Sequence, residues 1–168
     1  MVATMTDMTG MTDMAPRING KTFVMPLRVY YEDTDAGGVV YYANYLKYAE
    51  RARTEMLRLL DIENSDLQER HGVAFVVRHI EVEYLQPARL DDLLEVYLEL
   101  SRVGGATLEG AQAIRRDGED LVRMSIRLGC MKLSGGPGRL PSDVRARLQA
   151  YEVENENDND NINDNNNK

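Results

Sequence analysis

A short acidic loop ahead of a helix holds the residues with which this chain can do chemistry. Residues 30–38 read Tyr-Tyr-Glu-Asp-Thr-Asp-Ala-Gly-Gly, and a helical pattern opens a few residues later. The first turn of a helix presents unpaired backbone N–H groups and a partial positive charge. Donors of that kind stabilise a developing oxyanion. Gly37 and Gly38 have no side chains, so a substrate can approach the backbone there. A carboxylate in this loop, such as Asp35, faces the same space. A base or nucleophile beside an oxyanion-stabilising helix end is the geometry that acyl transfer needs. The same residue types also serve as ordinary caps and turns.

The other reactive residues form no comparable group. Cys130 is the single cysteine and lies in the run Ile126–Met131, which reads as a strand; it is expected to be a small buried hydrophobe. His71 reads as a helix-end residue, where its charge is favourable, and His79 lies on a strand. Neither has metal-ligand spacing to Asp or Cys, and no further oxygen ligands follow Asp33 and Asp35 at loop spacing, so no metal is expected.

Several elements must position the loop. Thr22–Met25 and Leu27–Tyr31 read as extended, interrupted by Pro26. A helix is predicted from about Tyr42 to Leu60, because Tyr45, Ala49, Ala52, Met56 and Leu59/Leu60 recur at spacings of three and four while charges fall on other faces. The small Ala49 and Ala52 on that stripe let a sheet come close. A second helix is predicted over Ser65–His71, with Ser65 as N-cap and Gly72 just past the end. Four strands follow: Val73–Tyr84, Leu93–Arg102, Thr107–Arg116 and Leu121–Leu133. Leu94, Val96, Leu98 and Leu100 alternate with Glu95, Tyr97, Glu99 and Ser101, so one face is buried and one wet. Asp117-Gly118 between two strand runs is a hairpin signal. A last helix opens at Pro141-Ser142-Asp143. One long helix followed by antiparallel hairpins predicts an α+β domain whose sheet curls around that helix.

The chain has 168 residues, 43% of them hydrophobic, enough for one domain with a core over 21–151. Residues 1–20 and 152–168 read as disordered tails; the second is acidic and rich in Asn. That tail holds most of the −8 net charge, so the acidity is no binding surface. No basic excess exists to engage nucleic acid. No apolar run is long enough for a transmembrane helix, and the N-terminus lacks the pattern of a secretory signal. A lone cysteine fits a reducing compartment, and the cytoplasm is the expected location.

The segment Arg28–Arg58 resembles the signature of the 4-hydroxybenzoyl-CoA thioesterase family, above all in Tyr-x-Asp-Thr-Asp-Ala-Gly-Gly-Val-Val-Tyr and Glu-Arg-Ala-Arg-Thr-Glu-Met-Leu. It looks most like the branch of small acyl-CoA thioesterases associated with the Tol-Pal system of the cell envelope. A weaker echo lies at Glu83–Asp92. The resemblance implies a hotdog fold, a homodimer or homotetramer, and hydrolysis of acyl-CoA thioesters. Coenzyme A then belongs to the substrate, and no cofactor is implied. By the same resemblance Asp35 is the catalytic carboxylate, as nucleophile or general base, and the backbone N–H near Tyr42 polarises the thioester carbonyl. Tyr42 stands where that branch commonly has His, which bears on the preferred acyl group. Gly37, Gly38 and Val39 border the substrate. Asn44 caps the helix or positions a water. Glu50 faces the active site of a partner subunit. Arg89 and Arg102 lie at strand ends suited to CoA phosphates. An acyl carrier protein is an equally open carrier of the acyl group, and peripheral association with the inner membrane stays open. The competing readings are hydratase chemistry, whose paired Asp and His motif is absent, and a non-catalytic dimer binding acyl-CoA or acyl carrier protein in an envelope-associated assembly.

Overall fold

The computed structural model describes residues 14–154. The strands are β1 (Arg17–Asn19), β2 (Thr22–Arg28), β3 (Val73–Tyr84), β4 (Leu93–Val103), β5 (Thr107–Arg116) and β6 (Glu119–Lys132), with the clearest period of two in β4 and β5. Helices are α1 (Asn44–Leu59), α2 (Asn64–His71) and α3 (Ser142–Gln149), with a single 3-10 turn at Tyr31–Asp33. The strands make one antiparallel sheet in the order β1-β2-β4-β5-β6-β3. The link through α1 and α2 therefore carries the chain across the sheet, from β2 to the far edge at β3. No helix among the described residues is long and apolar enough to cross a membrane.

One face of the sheet packs on α1. Leu94, Val96, Leu98 and Leu100 of β4 are buried on that face, with Leu108 and Ile114 of β5 and Met124 of β6. Ala49 and Ala52 are fully buried, as close helix–sheet approach requires. Tyr48 and Leu57 are buried too, so the apolar face of α1 is wider than the predicted stripe, and Leu59 is half exposed. A sheet that curls around a helix covers more of its circumference than a flat one. Each large side chain buried this way contributes roughly 1.5–3 kcal/mol.

Local chemistry sets most boundaries. Asp117 (φ 53°) and Gly118 (φ 84°) both take positive φ and join β5 to β6 as a two-residue hairpin turn. Gly72 ends α2 in the left-handed conformation. The N-cap of α2 is Glu63, however, and Ser65 is the second residue of the helix. Cys130 is buried in β6, and burial raises its thiol pKa.

Three other expectations change. β2 runs unbroken through Pro26, opposite Glu95. β1 covers β2 only at Thr22–Val24, so Pro26 lies where that edge is open and a missing N–H is tolerated. The segment read as a tail up to residue 20 enters the sheet at Arg17, whose guanidinium meets Glu95 at 2.5 Å and holds that carboxyl below its usual range. Glu152, also assigned to a tail, bridges Leu100, and the Val153 N–H donates to Leu100 O at 2.8 Å. The tail readings for 1–13 and 155–168 lie outside the described residues.

Candidate active site

The loop between β2 and α1 folds back on itself through local bonds. Thr34 and Val40 form an antiparallel bridge. Inside it, the Asp35 N–H donates to Val39 O at 2.9 Å and the Gly38 N–H to Asp35 O at 3.0 Å. Gly38 takes φ +71°, a conformation that L side chains rarely adopt. The Gly37 N–H donates to Asp35 Oδ1 at 2.8 Å, so the carboxylate turns over its own loop. That bond holds one oxygen. Asp35 is exposed, and among the described residues no side chain or backbone donor meets its Oδ2.

A second layer fixes this loop to the start of α1. Asp33 is 8% exposed and its Oδ2 accepts the Tyr30 N–H at 2.9 Å. Its carbonyl accepts both the Tyr41 N–H at 2.9 Å and Asn44 Nδ2 at 2.8 Å, which uses both lone pairs. Asn44 thus ties the first residue of α1 to the loop by its side chain. The Tyr48 hydroxyl is buried near the Asp33 carboxylate without reaching hydrogen-bond geometry; burial first, then that charge, push its pKa well above the usual phenol range.

Tyr41 and Tyr42 stand exposed at the opening of α1, ring centroids 4.6 Å apart. The Tyr41 phenol pKa is raised, chiefly by the neighbouring Tyr42 and least by the Asp35 carboxylate. Of the donors here, the N–H groups of Val40, Tyr41 and Asn44 are taken by Ala88 O, Asp33 O and Tyr41 O. Among the described residues none accepts the Tyr42 N–H. Tyr84 had no predicted role, yet its hydroxyl donates to Tyr42 O at 3.2 Å and its ring meets Tyr42 edge-on at 6.4 Å. Its sequence signals are an aromatic beside the Gln86-Pro87 turn and its place within the weaker echo at Glu83–Asp92. Tyr42, Tyr45, Tyr84 and Pro87 wall a cleft of about 270 Å³.

The fold brings Asp35, Gly37, Gly38, Val39, Tyr42 and Asn44 into this corner. Arg89 joins its rim, because the preceding Ala88 carbonyl accepts the Val40 N–H and the Arg89 N–H is held by Asp92 Oδ2 at 2.8 Å. Two other candidates stand apart within one chain. Glu50 lies further along α1, exposed and paired with Arg53. Arg102 sits at the other end of β4 from Leu93, about 30 Å along the strand. The strand-end position was legible, but which end of the sheet it occupies depends on the pairing of β4 with β2.

Asn44→Ala is expected to lower kcat by about 10–100-fold, since a misplacement of about 1 Å in a catalytic loop has effects of that order. Stability should fall by roughly 1–3 kcal/mol, because the buried Asp33 carbonyl loses a partner. Asn44→Asp should lose as much activity, as a carboxylate cannot donate. Unchanged turnover in both variants would refute the tethering role.

Comparison with known proteins places the chain in a family. The family model "Thioesterase superfamily" matches residues 37–123. The chain is 46% identical over 125 residues to the acyl-CoA thioesterase YbgC of Haemophilus influenzae, a match spanning 74% of this chain and 92% of the relative. It is 53% identical over 97 residues to the acyl-CoA thioester hydrolase YbgC of Escherichia coli, spanning 58% of this chain and 72% of the relative. A probable thioesterase from Bartonella henselae superposes with a TM-score of 0.68 at 37% identity, covering 71% of this chain and 99% of that one. A six-stranded antiparallel sheet wrapped on one long helix is the hotdog arrangement, and the chain belongs to the thioesterase superfamily.

Proposed function

We propose that the protein hydrolyses acyl-CoA thioesters to a free acid and coenzyme A, with Asp35 as its catalytic carboxylate. The observation that carries this is the half-anchored Asp35: one oxygen is held by the Gly37 N–H and, among the described residues, the other meets no donor and the Tyr42 N–H beside it no acceptor. Asp35 Oδ2 takes a proton from a water that attacks the thioester carbon, or itself attacks to give a mixed anhydride that water opens. In either course the carbonyl oxygen becomes negative and the Tyr42 N–H donates to it. The C–S bond breaks, and the CoA thiolate leaves to take up a proton. The names borne by the Haemophilus and Escherichia relatives support acyl-CoA as the substrate class. Gly37, Gly38 and Val39 leave the approach to the carbonyl open. Arg89 at the rim suits a CoA phosphate. Acyl groups on an acyl carrier protein present the same thioester.

A dimer goes with this reading. β3 offers a 12-residue edge with no strand partner among the described residues, which a second copy can pair antiparallel by two-fold symmetry. Glu50 then faces the corner of the partner copy.

Thiol release from a panel of short, long and aromatic acyl-CoAs is the direct test. Turnover of at least one member is expected. No release across the panel, from free or carrier-bound thioesters, would leave only a binding role.

A further inference from the structure

We infer that Leu148 of α3 is the stop that limits the length of the acyl chain; this rests on thioester hydrolysis by the edge-paired dimer. A cleft of about 190 Å³ opens between α1, α2 and the first half of β3, with Glu50, Asn64 and Gln68 on its walls. Behind it lies a smaller cavity of about 30 Å³ between α1 and the sheet. The two share Arg53, Leu57, Phe75 and Leu128 as walls, so they adjoin, and an acyl chain that moves these side chains aside runs from one into the other. The mouth is polar and the far end is hydrocarbon. Arg53 stands at the junction, held by Glu50 on one side and by Gln112 Oε1 at 2.6 Å on the other.

The far end exists for a reason readable in the strands. The stripe Leu108, Gly110, Gln112, Ile114 of β5 is buried against α1, and at Gly110 the backbone of β4 comes so close that no side chain fits, while Leu108 and Gly110 line the cavity. Opposite it, β4 is bulged between Leu100 and Arg102. Leu148, 1% exposed, closes the resulting hole. Its helix is held by Arg147, which donates to Leu60 O and Asp61 O at 3.4 and 2.8 Å, and by Gln149 to Val103 O at 3.3 Å.

The slot meets the catalytic corner across the dimer. A second copy running antiparallel along β3 sets its Tyr84 end beside this chain's Val73 end, where the cleft opens. Tyr84 is bonded to Tyr42, so the partner copy's catalytic corner arrives with it. A space of about 30 Å³ holds about two water-sized groups, which fits the last one or two carbons of a saturated chain. An aromatic ring exceeds it.

The test measures kcat/KM for saturated acyl-CoAs from acetyl to decanoyl in wild type, Leu148→Ala and Leu148→Val, with thermal melts of each. The octanoyl-to-butyryl ratio should rise by at least about tenfold in Leu148→Ala and by less in Leu148→Val, since one methylene in an apolar pocket is worth about 10-fold or more. Should the alanine variant fail to fold, the milder valine variant carries the comparison. An unchanged ratio in folded variants of an active enzyme would overturn the stop while sparing hydrolysis. A wild type that releases no thiol from any chain would overturn the hydrolytic reading, and the stop with it.

Discussion

Asp35→Asn is expected to lower kcat by about a thousandfold or more while leaving the melting temperature almost unchanged. General acid–base groups contribute roughly 10²–10⁴ in rate, and a lost nucleophile removes more. The substitution is clean because of how Asp35 is held. Its Oδ1 accepts the Gly37 N–H at 2.8 Å, and an Asn oxygen accepts the same bond. The loop therefore keeps its shape, and only the charge and basicity of the second oxygen are lost. Asp35 is exposed, so the change in stability should stay within about 0.5 kcal/mol. Asp35→Ala removes the turn-forming bond as well. If that bond orders the loop, the alanine variant should also bind substrate more weakly, with a higher KM than the asparagine variant. Near-wild-type turnover of Asp35→Asn, measured by thiol release, would remove Asp35 from the chemistry.

Those features of the site were legible in the sequence because they are local. An Asp two residues before a glycine, a second glycine at positive φ, and a helix opening soon after are all spelled within ten positions. The strand limits were legible for the same reason: β3 and β5 match their predicted spans, since period-two alternation ends there at turn residues. What escaped depends on distant partners. β1 is three residues with no period, and its place follows from pairing with β2 and from Glu95, 78 positions away. The burial of Tyr48 and Leu57 follows from sheet curvature, which no helical period encodes. Tyr84 meets Tyr42 only because the far-edge strand returns to the opening of α1. Arg102 looked equivalent to Arg89 as a strand-end cation, yet register places the two at opposite ends of the domain. The slot behind Arg53 needs the bulge in β4 and Gly110 of β5 to fall opposite each other, which is a property of register alone.

Gly110 should be the least replaceable glycine outside the turns, and Gly110→Ala is expected to destabilise the protein by roughly 3 kcal/mol. A Cβ there would lie 2.5 Å from Glu99 O, 3.5 Å from the Glu99 carbonyl carbon and 3.7 Å from Leu100 Cα. All three are backbone atoms of β4, so no side chain can swing aside, and the β4–β5 ladder itself must move. At a few degrees per kcal/mol, the melting temperature should fall by about 6–12 °C. Two controls separate this from the general effect of adding a methyl to a glycine. At Gly129 a Cβ would meet Arg78 Cγ at 3.1 Å and Cδ at 3.2 Å, the middle of a flexible side chain, so Gly129→Ala should be milder. At Gly105 nothing lies within 4 Å and φ is not positive, so Gly105→Ala should be neutral or stabilising by about 0.4–1 kcal/mol through the unfolded chain. The order Gly110, Gly129, Gly105 in thermal melts follows from what a Cβ meets: rigid backbone, a flexible side chain, and open space. Equal losses at all three would mean that the β4–β5 contact is looser than the 2.5 Å approach requires, and the space beside Gly110 would then be no fixed part of the fold.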